Sequence, residues 1–122
     1  MKKDQPNVVI YFTDDQGYGD LSCMGAKDFS TPVLDRMANE GIRFTDWYSN
    51  SPVCSPSRAS LLSGKYPSRA GVRSILRGHR TATGLPPSTK TIASVLKSNG
   101  YQTAITGKWH LGLKDECLSL IH

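Results

Sequence analysis

Cysteine is scarce. The 122 residues hold three, Cys23, Cys54 and Cys117, an odd number set far apart. That excludes a disulfide framework, because disulfide-stapled domains carry dense, even sets of cysteines. Long hydrophobic runs are also missing: no apolar stretch approaches the ~20 residues of a membrane-spanning helix, so no membrane span is expected. There is no internal repeat and no low-complexity tract. The start, Met1-Lys2-Lys3-Asp4-Gln5-Pro6, has no signal-peptide hydrophobic region. As written, the chain reads as cytoplasmic, or as periplasmic or secreted where a signal peptide has been removed. Acid is in the minority, with 10 Asp and Glu against 15 Lys and Arg and a formal charge of +5. A basic excess can serve nucleic acid. The densest run, Arg69, Arg73, Arg77, His79 and Arg80, carries no aromatic residue and no nucleic-acid motif, so a solvated loop is the plainer reading and no nucleic-acid partner is expected.

The length suits one domain, able to bury roughly two-thirds of its unfolded surface. Along the chain, strand-like and helix-like segments alternate. Residues 8–13 form an apolar run suited to a strand buried on both faces. Thr31-Pro32 opens a helix that carries Leu34, Met37 and Ala38 on one face and ends at Gly41. Residues 42–48 read as a second strand. A helix follows over 54–62, with Ser55 as its cap and Gly64 beyond its end. Residues 65–87 read as mostly irregular. Ser88 or Thr89 caps a third helix bearing Ile92, Val95 and Leu96, with Gly100 past its end, and 101–106 reads as the last strand. Alternation of this kind predicts an α/β sandwich with a largely parallel sheet.

Three constellations carry chemistry. The first is Thr13-Asp14-Asp15-Gln16-Gly17, which places adjacent carboxylates at the carboxyl end of the first strand, the edge where open α/β sheets bind ligands. A close pair of carboxylates repels itself unless a cation intervenes, and oxygen donors favour a hard ion; taken alone, the pair also suits a solvated acidic turn. The second is Cys54-Ser55-Pro56-Ser57-Arg58. Proline fits a first helical turn, Cys54 falls at the positive end of the helix, and Arg58 lies four residues on, on the same face. A buried thiol before an ordinary helix has the same look. The third is Gly107-Lys108-Trp109-His110. If that segment is extended, Lys108 and His110 point to one side, offering a compact cation and a proton acceptor.

In this order and at these distances, the three resemble the signatures of the type I sulfatases, from about residue 6 to about residue 113. The resemblance implies an alkaline-phosphatase-like α/β fold with a largely parallel central sheet, incomplete here, and residues 1–122 as the first, truncated part of a sulfatase catalytic domain. It implies that Cys54 is converted to formylglycine by a formylglycine-generating maturation enzyme. It implies that Asp14, Asp15 and residue 54 ligate a divalent cation, Ca²⁺, with Mg²⁺ the alternative. It gives catalytic roles to Cys54, Arg58, Lys108 and His110: residue 54 as nucleophile toward sulfur, Arg58 and Lys108 steadying negative charge, and His110 assisting release of sulfate. The substrate is then a small sulfate ester or a sulfated sugar, and the basic 69–80 loop would help recruit such anions. Family members of several times this length supply further ligands, so half a site and an inactive fragment are expected. Alternatives are a phosphate or phosphonate ester hydrolase of the same superfamily, or a non-catalytic truncated product.

Overall fold

The computed structural model describes residues 5–77, 83–114 and 117. His79 and Arg80 of the basic run lie outside the described residues. The chain divides into two compact units, Met1–Trp47 and Tyr48–His122.

In the first unit a 3-10 turn at Ser22–Met24 precedes helix α1, Pro32–Glu40. Proline in the first turn and Gly41 at the end bound α1 as the sequence predicts, and the Gly41 amide donates to the Met37 carbonyl at 3.0 Å. Asp35 draws the turn and the helix together. It accepts from the Ser22 hydroxyl at 2.5 Å, the Thr31 hydroxyl at 2.9 Å and the Cys23 amide at 2.9 Å. Ser22 and Thr31 also bind reciprocally, each backbone N–H donating to the other's hydroxyl oxygen. Arg43 donates to the Cys23 carbonyl at 2.5 Å.

The Ser22 hydroxyl above all, opposed by partial desolvation and helped by Thr31 and Cys23, holds the Asp35 carboxyl below its ordinary 3.8. A depressed folded value contributes stability that is complete above the ordinary carboxylate range and is lost as pH falls through the folded value. Asp35→Asn is therefore expected to flatten the fall in urea stability between about pH 5 and pH 2. An unchanged slope would show that Asp35 is not the acid-sensitive link.

In the second unit α2 runs Cys54–Ser63, α3 Pro67–Ala70 and α4 Ile92–Ser98. The short α3 falls inside the stretch expected to be irregular. Gly64 takes a left-handed φ of 65°, and its amide donates to Ser60 O at 2.9 Å, so α2 ends as expected. Two caps differ from expectation. Val53, in extended conformation, is the N-cap of α2, which places Ser55 two residues past the cap and releases its hydroxyl from capping. Thr91, not Ser88 or Thr89, caps α4 through a capping box with Ser94. The Thr89 amide instead donates to Pro86 O at 2.8 Å in the turn before the helix.

Ala59, Ala70, Val72, Leu85 and Leu111 make the core of this unit, with Leu62, Leu76 and Trp109 packed against it. Helix α2, the 72–76 segment and the 109–111 segment thus share one apolar anchor.

The sheet pairing expected from the sequence is not seen among the described residues. No described residue lies in a strand, including those of segments 8–13, 42–48 and 101–106. A strand exists only through a paired neighbour, and the apolar side chains of these segments face solvent instead: Val9 is 87% exposed, Ile42 84% and Trp47 76%. Their composition is that of buried strands, without the pairing. The three cysteines are free thiols, and no helix among the described residues is long and apolar enough to cross a membrane.

Candidate functional site

In the first unit, Asp14 and Asp15 occupy a bend and are both exposed. Asp15 has φ of 50°. For a residue with a Cβ, the left-handed region costs about 1–2 kcal/mol, and such strain concentrates at functional sites. Just beyond, the Gly17 amide donates to Asp20 at 2.6 Å and closes the following loop.

The second unit brings the other candidates onto one scaffold. Cys54 is the first residue of α2 and is half-buried. Helix geometry leaves the amides of Cys54 and Ser55 without intrahelical acceptors, and Pro56 has none to offer. The region around residue 54 therefore carries uncompensated N–H dipoles, which favour an anion.

Arg58, on the next turn of α2, donates from Nη1 to the Lys108 carbonyl at 2.7 Å. This bond spans fifty residues and ties the second constellation to the third. The Lys108 side chain is exposed.

His110 does not continue an extended segment; its φ is 55°, which corrects the expectation that it simply alternates with Lys108. Among the described residues, Asp15 and His110 are the non-glycine positions with positive φ, and both were singled out by their chemistry. The His110 ring contacts the Leu76 carbonyl through Nε2 at 2.8 Å. A carbonyl oxygen only accepts, so Nε2 carries the proton. Nδ1 is buried and has no hydrogen-bond partner among the described residues, so in the neutral ring it holds the free lone pair. The indole of Trp109 turns back to donate to Gly112 O at 3.1 Å.

Sequence reasoning placed Cys54, Arg58, Lys108 and His110 in the site. It missed the backbone of Leu76, which receives His110 from one side, and the hydroxyl of Ser55, which accepts the Leu76 amide at 3.1 Å. A leucine backbone leaves no chemical trace in a sequence. Ser55 sat in view, inside the cysteine motif, but was read as a cap.

The model of the Sulfatase family matches residues 6–116. The chain is 46% identical over 113 residues to steryl-sulfatase of Mus musculus, covering 88% of this chain and 18% of that protein. It is 47% identical over 111 residues to arylsulfatase A of Homo sapiens, covering 91% of this chain and 22% of that protein. Among solved structures, the crystal structure of Ps i-CgsB superposes with a TM-score of 0.80 at 40% identity, over 85% of this chain and 23% of that one. The same protein in complex with k-i-k-neocarrahexaose gives 0.79. The chain spans about a fifth of the length of the curated relatives it matches.

Proposed function

The chain belongs to the sulfatase family, and on that premise we propose that it carries part of a site for hydrolysing sulfate esters. The family's alkaline-phosphatase-like α/β fold comes with that membership. One observation above the others supports the activity. In the second unit, the helix that begins at Cys54 is bonded through Arg58 to Lys108, two residues before a histidine whose Nδ1 is left open.

The residues present suit the two groups the reading requires. Asp14 and Asp15 offer adjacent carboxylates, a hard oxygen donor set that calls for a cation and fits Ca²⁺, with Mg²⁺ as alternative. When bound, such an ion supplies Lewis-acid polarisation of an oxygen. Formylglycine derived from Cys54 supplies a hydrated aldehyde as nucleophile where a thiol could not complete the cycle.

The rest of the chemistry belongs to the chain's own side chains. The open N-terminus of α2 attracts the negative sulfate group to residue 54. Arg58 keeps a permanent positive charge beside it. Lys108, exposed, offers an ammonium group to a sulfate oxygen and offsets charge that builds up during transfer. His110 accepts a proton at Nδ1 while Nε2 stays bonded to Leu76. Small aryl sulfates and sulfated sugars both match this chemistry, and Arg73 and Arg77, both exposed, lie on the loop that would gather such anions.

The direct test is peptide mass spectrometry across residue 54 after co-production with a formylglycine-generating enzyme. The expected result is an aldehyde in place of the thiol; an unchanged thiol in every molecule would overturn the reading. The 122 residues alone are expected to give no turnover. Where turnover is measured, the rate on an aryl sulfate is expected to exceed that on the matched aryl phosphate. The reverse order would reassign the chain to the phosphate or phosphonate ester hydrolases.

A further inference from the structure

We propose that Ser55 is a positioning residue: through the backbone of Leu76 it fixes the tautomer and orientation of His110. Ser55 is fully buried, at 0% exposure. A buried hydroxyl needs partners, and this one is not spent on capping, because Val53 occupies the cap of α2. Its oxygen instead accepts the Leu76 amide at 3.1 Å. Leu76 in turn accepts His110 Nε2 at 2.8 Å, and its side chain packs on the core that α2 and Leu111 share. Leu76 is thus held at three points: its amide by α2, its side chain by the core and its carbonyl by the histidine.

The consequence is chemical. A neutral imidazole has one N–H and one lone pair, and their placement follows from whatever its other nitrogen bonds. With the Leu76 carbonyl fixed at Nε2, the lone pair has to sit on Nδ1, the buried nitrogen without a partner among the described residues. His110 presents its ring to this carbonyl from a backbone at φ 55°. The carbonyl must be held in place for the ring, and Ser55 holds it. Position 55 therefore matters to a residue fifty-five positions away, although it touches no reacting atom. In giving the fixed tautomer a proton-accepting role, the proposal rests on the sulfate-ester reading; the tautomer itself does not.

The experiment reads the ring directly. Long-range proton–nitrogen NMR on the 15N-histidine-labelled chain, about one unit above the ordinary histidine value of about 6.5, reports which nitrogen carries the proton. His110→Gln identifies the His110 signals among those of the three histidines. The wild-type chain is expected to show a protonated Nε2 and an unprotonated Nδ1, widely separated. Ser55→Ala is expected to draw the two signals toward each other as the tautomers mix, and to lose the Nε2–H resonance to solvent exchange. Ser55→Cys, similar in size but a weak acceptor, gives the same readout should alanine unfold the unit. A proton on Nδ1 in the wild type would overturn the proposal. So would a folded Ser55 variant with unchanged ring signals. No sulfate ester enters the measurement, so a chain with no turnover can still pass or fail it.

Discussion

Gly84→Ala is expected to destabilise the second unit by about 3 kcal/mol, the upper end of what overpacking costs, and to blur its unfolding transition. A Cβ at Gly84 would stand 2.0 Å from the Leu111 carbonyl oxygen, 2.7 Å from its carbon and 2.6 Å from Gly112 Cα. All three are backbone atoms, so no side chain can rotate aside. The same close approach lets the Leu85 amide donate to Leu111 O at 2.9 Å, a bond worth about 1 kcal/mol net that the methyl would push apart. The facing residue is equally constrained: Gly112 has φ of 116°, and its own Cβ would meet Cys117 Sγ at 2.8 Å. Leu85 and Leu111, both fully buried, flank this crossing, so separating the backbones also opens the core. Gly64→Ala is the control. Its φ of 65° is left-handed but nothing lies within 4 Å of the added methyl, so only the conformational cost of about 1 kcal/mol applies. Urea unfolding of the two variants side by side decides the matter; equal losses would mean the crossing is not tight.

That crossing explains part of what the sequence shows and part of what it hides. Helix ends were legible because each depends on a few adjacent residues: Pro32 and Gly41 for α1, Gly64 for α2. The candidate site residues stood out because carboxylate pairs, a cysteine before proline, and Lys-Trp-His are chemically distinctive. What the sequence left open or misplaced depends on distant partners. Segments 8–13, 42–48 and 101–106 have the apolar make-up of buried strands, yet a strand is a relation between two segments, and composition speaks for only one. The cap of α4 fell on Thr91, which forms a capping box with Ser94, a choice among near-equivalent hydroxyl residues that propensity cannot rank. Ser55 was misread for the same reason: a hydroxyl at a helix start caps by default, unless a backbone amide from twenty-one residues away claims it. Asp35 resembles these cases, since much of its weight comes from Ser22 and Cys23, which lie thirteen and twelve residues away in the sequence.

The second large effect concerns how residue 54 acquires its chemistry. Arg58→Ala is expected to cut conversion of Cys54 to formylglycine at least tenfold, while Lys108→Ala leaves it unchanged. The argument begins with spacing. Cys54, Pro56 and Arg58 stand at i, i+2 and i+4, a period that lines all three on one side of an extended peptide and that a helix has no need of. In the folded unit Pro56 is buried and Cys54 half-buried within α2, and Arg58 is engaged with the Lys108 carbonyl. A maturation enzyme that recognises this pattern therefore meets it in the chain before α2 forms. A synthetic peptide covering residues 50–62 is then expected to be a substrate and the folded chain a poor one. Arg58→Lys separates the two tasks of the arginine. It retains a charge but loses the planar fork, so it is expected to weaken the tie to Lys108 modestly, by about 1 kcal/mol, whatever it does to conversion. Mass spectrometry across residue 54 measures conversion, and urea unfolding measures the tie. Equal conversion of peptide and folded chain would show that the pattern is read on the helix, with Arg58 recognised where it stands beside Lys108.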